Sequence, residues 1–91
     1  KMKTWKDSER VNFYIKPPDE VEDKISNLYV DIYNKEGARL MLRGAIKEED
    51  GSWTFWVRKD FLGSGRYTWR VKTDSIAGDL YIGKKKSFTI F

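Results

Sequence analysis

Arg66-Tyr67-Thr68-Trp69-Arg70-Val71 is the clearest strand in the sequence. Tyr67, Trp69 and Val71 alternate with polar Arg66, Thr68 and Arg70, the period of a strand with one face in a core and the other in solvent. Leu62-Gly63-Ser64-Gly65, immediately before it, is turn chemistry. Upstream, Trp53, Phe55 and Val57 keep the same period after the turn Glu48-Glu49-Asp50-Gly51. Further back, Leu28, Val30 and Ile32 alternate with Tyr29, Asp31 and Tyr33, and Asn34-Lys35-Glu36-Gly37 separates them from Leu40, Leu42 and Ile46.

Val11, Phe13 and Ile15 alternate with Arg10, Asn12, Tyr14 and Lys16 until Pro17-Pro18 stops the strand. The crowded acids of Asp19 to Ser26 read as an exposed connection with room for one helical turn. Downstream, Asp74 to Asp79 reads as a turn, and Phe88 with Ile90 forms a final strand after Gly83-Lys84-Lys85-Lys86. Six or seven short strands at this spacing make an all-β sandwich or barrel. Residues 9–91 are expected to form one domain after a lead-in at 1–8.

An antiparallel register adds detail, because directly opposite residues share a face. With Ile32 facing Leu40 and Leu42 facing Val57, the three strands bury one apolar face. The outward face then sets Tyr29 beside Arg43 and Arg43 beside Trp56, with Asp31, Met41 and Arg58 in the neighbouring row.

Composition narrows the chemistry. Ninety-one residues leave little room for a second domain or an interdomain cleft. With no Cys there are no disulfides and no thiolate nucleophile, so apolar packing by four Trp, five Tyr and five Phe must hold the domain. No His means no imidazole base or zinc ligand. No Gly-x-Ser-x-Gly element, P-loop or dinucleotide fingerprint is present, and an enzyme is not expected. The net charge of +4 comes from interspersed signs, as on a solvated surface. No apolar run of about 18 residues suits a membrane span. The start, Lys1-Met2-Lys3-Thr4-Trp5-Lys6, lacks a signal-peptide core, and Lys1 before Met2 points to a tag remnant or, preferably, a segment cut from a longer chain.

Leu62-Gly63-Ser64-Gly65-Arg66-Tyr67-Thr68-Trp69-Arg70-Val71 resembles the penultimate-strand region of immunoglobulin-like and fibronectin type III-like modules in bacterial secreted proteins and phage tail proteins. The resemblance implies an immunoglobulin-like antiparallel β-sandwich of about seven strands. It also implies a tyrosine corner, with the Tyr67 hydroxyl bonded back to the preceding loop. Ser87-Phe88-Thr89-Ile90 is similar to the last strand of such modules. The polar start, the hairpin, Gly51-Ser52-Trp53-Thr54 and the closing Ser-Phe-Thr-Ile are together similar to amino-terminal immunoglobulin-like domains of phage baseplate and tail-fibre proteins. Those domains imply assembly in an extracellular or virion setting. Gly51-Ser52-Trp53 with Gly65-Arg66-Tyr67 is also similar to the second half of starch- and glycogen-binding sandwiches, but no segment matches their early Asn-x-Trp platform.

Trp56 is the most informative site candidate, since the pleat turns it outward from Trp53, Phe55 and Val57. With Tyr29 and Arg43, and with Tyr33, Met41 and Arg58 around them, it forms a face for a glycan or a partner protein, or else a surface cation–π cluster. Trp53 and Trp69 keep core phase, and Trp5 has no assigned place. Lys84-Lys85-Lys86 suits a charged edge that discourages strand-to-strand association better than a nucleic-acid site. Asp19, Glu20, Glu22 and Asp23, and Glu48, Glu49 and Asp50, lack the spacing of a calcium loop. No cofactor and no metal is expected. The partners expected are neighbouring domains or subunits of a larger assembly, with a glycan as the alternative.

Overall fold

The computed structural model describes residues 6–91, so the reading of Trp5 lies outside the described residues. A single 3₁₀ turn, Asp7–Glu9, leads into β1 (Arg10–Ile15). Next come a one-turn helix α1 (Asp19–Glu22), β2 (Asn27–Tyr33), β3 (Arg39–Gly44), the two-residue β4 (Ile46–Lys47) and β5 (Trp53–Arg58). A second helical turn, α2 (Lys59–Leu62), precedes β6 (Gly65–Ser75), β7 (Gly78–Ile82) and β8 (Lys86–Ile90). Among the described residues no helix is long and apolar enough to cross a membrane.

The eight strands form two antiparallel sheets. One has the order β1-β5-β4; the other has β3-β2-β6-β7, with β8 also pairing β6. In immunoglobulin lettering these are B-E-D and C′-C-F-G, with no strand in position A among the described residues. The chain is therefore an all-β antiparallel sandwich, with one strand more than the sequence reading expected. The extra strand is β7, which begins within the stretch 74–79 that was expected to be a turn. β6 runs on to Ser75, Ile76-Ala77 make a tight turn, and β7 begins at Gly78.

The core is where the inward rows of the two sheets meet. Phe13 of β1 packs against Phe55 (ring centroids 5.8 Å apart), Trp69 (4.8 Å) and Phe88 (5.6 Å), the last two edge-on. Leu28, Val30 and Ile32 of β2 lie beneath, and Trp53 and Val57 are buried as their phase predicts.

The tyrosine corner is present. Gly63, at φ 83°, turns the chain out of α2, and the Tyr67 hydroxyl reaches the carbonyls of Leu62 (2.5 Å) and Gly63 (2.9 Å). The ring stacks on Phe88 at 5.4 Å. A tight turn thus becomes a fixed anchor for the longest strand.

The expected register of the central hairpin is corrected by one residue. The turn itself is as read: Asn34 N donates to the Ala38 carbonyl, and Asn34 Oδ1 accepts from the amides of Glu36 and Ala38. Tyr33 then pairs Arg39, but Ile32 pairs Met41, so Leu40 is the extra residue of a β-bulge. The bulge exchanges the two faces of β3 beyond it. Met41 enters the core, whereas Leu40 and Leu42 are exposed. Nor does Leu42 face Val57: β5 lies in the other sheet, where Val57 pairs Val11.

Candidate functional site

The outer face of the three-stranded sheet follows from two registers. β1 and β5 pair Arg10 with Arg58, Asn12 with Trp56 and Tyr14 with Thr54, while β4 sets Ile46 against Thr54. Since opposite residues share a face, Tyr14, Thr54 and Ile46 form one row across the sheet, and Asn12 and Trp56 form the next. Tyr14 is 77 % exposed, Ile46 66 % and Trp56 43 %. Trp56 is diagonal to both Tyr14 and Ile46, within reach of large side chains. The result is a flat aromatic and aliphatic strip edged by Asn12, Thr54 and arginines.

The cation on Trp56 is Arg10, whose guanidinium carbon lies 5.0 Å from the ring centroid, rather than the expected Arg43, because β3 and β5 lie in different sheets. Arg58 is held by Asp60, Nε to Oδ1 at 3.2 Å. Beside Trp56, an open groove of about 370 Å³ runs between β3 and β5, lined by Met41, Arg43, Arg58 and Phe61 among others. Arg43 shares the inward phase of its partner Val30. Because β3 is the end strand of its sheet, its side chain emerges at the open side of the sandwich, where it is exposed.

Four of the six expected site residues, Met41, Arg43, Trp56 and Arg58, therefore meet at one groove. Tyr29 and Tyr33 do not. They belong to the outer face of the five-stranded sheet, in line with Lys72 and Thr68 of β6.

That second face is built round Asp31, which is 0 % exposed. Tyr33 donates its hydroxyl to Asp31 Oδ2, and Arg39 grips both carboxylate oxygens, Nε to Oδ1 at 2.9 Å and a terminal nitrogen to Oδ2 at 3.2 Å. Arg70 Nε stands 3.6 Å from Oδ2. Burial pushes the Asp31 pKa up, but the hydrogen bonds from Tyr33 and Arg39 and the charges of Arg39 and Lys72 outweigh it, so the net direction is down. The Tyr33 ring is buried with Lys85 Nζ 4.2 Å and the Arg70 guanidinium 5.5 Å from its centroid. A ring so covered is no stacking platform. Its part is to hold the sheet's polar centre.

The lysine run divides between faces, Lys85 folding over Tyr33 outside and Lys86 lying 5.6 Å from the Trp69 ring inside. The acidic loops find partners within the fold. Lys16 Nζ meets Glu22 at 2.6 Å, Ser52 donates its amide and hydroxyl to Asp50, and Thr54 donates to Glu48. Among the described residues no three carboxylates converge as a metal site would require.

Tyr14, Ile46, Arg10 and Phe61 are the residues of this region that sequence reasoning missed. The outward phase of Tyr14 was legible in the alternation of Arg10 to Ile15, but not that β1 would pair with β5. Comparison of the chain with protein-family models, with curated proteins and with solved structures finds no match.

Proposed function

We propose that the chain is a non-catalytic immunoglobulin-like assembly module of a larger extracellular or virion protein, of the phage tail or baseplate kind, which attaches to a neighbouring domain or subunit. The observation that carries this reading is the exposed strip of Tyr14, Trp56 and Ile46 on a sheet face otherwise made of arginine and small polar side chains. Tyr, Trp and Arg are the residues that dominate protein–protein hot spots, and an aromatic centre with a polar rim is the usual anatomy of such a surface. The sequence resemblance around Tyr67 supports the same reading.

Carbohydrate binding is the second reading. It is favoured by Tyr14, the most open ring of the strip, next to Asn12 and Thr54 as hydrogen-bonding groups. Against it, the Arg10 guanidinium already covers the Trp56 ring at 5.0 Å, so a sugar stacking there must displace a cation.

Tryptophan fluorescence, with Trp56→Phe as reference, separates the two. Titration with the segments that flank the module in its natural chain should move the Trp56 emission, and titration with a panel of soluble glycans should leave it flat. A saturable glycan response lost in Tyr14→Ala and Trp56→Ala would replace the assembly reading with the carbohydrate one.

A further inference from the structure

The two layers are unequal, three strands against five. Val30 and Ile32 of β2 are wholly buried, yet their same-face partners Val71 and Trp69 on β6 are only half-buried. Part of the larger sheet's inner surface therefore has no strand opposite it. Trp69, Val71 and the part-exposed Tyr81 form one side of a cleft of about 140 Å³, and Tyr14, Ile15 and Pro17 form the other.

That second wall is β1, which ends its sheet: β5 is its one strand neighbour among the described residues. Half the backbone N–H and C=O groups of an edge strand point away from the sheet, a template for a further strand. The uncovered floor and the open edge adjoin, and they coincide with the absence of an A strand among the described residues. Only an extended chain meets both demands, offering a hydrogen-bonding edge to β1 and every second side chain to the cleft. The cleft is well below the roughly 300–1,000 Å³ of a small-molecule site, and suits one or two side chains. Its rim carries Lys84 and Lys86, and no carboxylate lines it.

We propose that the edge of β1, which pairs no strand but β5 among the described residues, accepts an extended segment of a partner protein as an added strand. Alternate side chains of that segment enter the cleft, apolar ones resting on Trp69, Val71 and Tyr81 and an acidic one at the rim meeting Lys84 and Lys86. This surface shares Tyr14 with the strip of Trp56 and otherwise lies on the opposite side of β1.

Gly83 offers a way to close the cleft. Its φ lies outside the left-handed region, and an added Cβ would meet Val71 and Tyr81 atoms at 3.5–3.6 Å, ordinary contact. Gly83→Phe should therefore cover the floor without straining the backbone.

The test is amide hydrogen exchange and NMR shift mapping on the 91-residue chain. The probes are a ten-residue Val/Glu peptide in which Val alternates with Thr and Glu replaces the last Val, the same composition with Val and Thr in two blocks, and a Val/Lys peptide with Lys in place of that Glu. The Val/Glu peptide should slow exchange at the outward amides of β1 about tenfold or more, as new strand hydrogen bonds do, and shift the Trp69 indole signal. The block and Val/Lys peptides should do neither. Gly83→Phe should abolish the protection, and Lys84→Glu with Lys86→Glu, a second variant independent of packing, should weaken it at least tenfold. Absence of protection at millimolar peptide, perturbation centred on Trp56, or equal protection by the Val/Lys peptide would overturn the proposal. So would protection of the same amides before peptide is added, because the edge would then already be covered by the chain itself or by a second copy.

Discussion

At the scale of single residues, one hydroxyl and one carboxylate carry more of the architecture than their number suggests. The Tyr67 hydroxyl lies between two loop carbonyls at 2.5 and 2.9 Å, while its ring belongs to the core. Tyr67→Phe keeps the ring and removes the anchor, so it should cost about 1–2 kcal/mol in urea unfolding, the penalty for a lost buried hydrogen bond with its acceptors left behind. Asp31 is the other case, a carboxylate without solvent exposure held by Tyr33 and Arg39. Asp31→Asn leaves two guanidinium groups without their counter-charge. We expect a loss of about 2 kcal/mol at neutral pH, less than for a fully buried pair because Arg39 is partly in solvent. The pH dependence has a definite sign. The folded pKa of Asp31 is lowered from the ordinary value of 3.8, so its ionisation stabilises the fold above that value, and the contribution disappears as pH falls through the lower folded-state pKa. The stability gap between wild type and Asp31→Asn, measured by urea titration at several pH values, should be constant from neutrality to about pH 5 and shrink below about pH 4. A gap that widened in acid would contradict the assignment.

At the scale of elements, the bulge at Leu40 is the feature with the widest consequences. Alternation in the sequence identifies the strands on either side of Asn34 to Gly37, and the turn bonds form where those residues imply. An unbulged hairpin then puts Leu40 and Leu42 inside. Nothing in the spacing of Arg39-Leu40-Met41-Leu42 marks one of them as unpaired, because all three hydrophobic residues suit either face. Tertiary structure decides it: with Leu40 extra, Met41 fills the core while Arg39 still reaches Asp31 on the opposite face. The two registers make opposite predictions for adjacent residues. Met41→Ala should lower stability by about 2 kcal/mol or more, whereas Leu42→Ala should stay within about 0.5 kcal/mol, both by urea unfolding. The reverse order would restore the unbulged pairing. The strand Arg66 to Val71 was legible because three signals agree there, a glycine turn, a strict period of two and a tyrosine at the corner. β7 was not, since Asp74 to Asp79 has turn composition, and the turn takes only its middle two residues.

At the scale of the whole molecule, the unequal sheets leave three features outside the core: the strip across the smaller sheet, the groove beside it, and the cleft at the edge of β1. The outward direction of Trp56 was legible, being set by the pleat alone. Its neighbours were not, because they depend on which strand pairs with β5. Sequence distance gives no hint that Tyr14, 42 residues before Trp56, shares its face. Truncating exposed rings removes little core packing, so Tyr14→Ala with Trp56→Ala should leave the melting temperature within about 4 °C, the shift of under 1 kcal/mol for a domain of this size. Attachment, by contrast, should fail. The most direct measurement is light scattering across a concentration series, on the module with its natural flanking segments, for wild type and for this double variant. Saturable association in the wild type that the double variant loses while staying folded is the predicted result. A strictly monomeric wild type that ignores those segments, or association untouched by removing both rings, would contradict the assignment of this face to assembly.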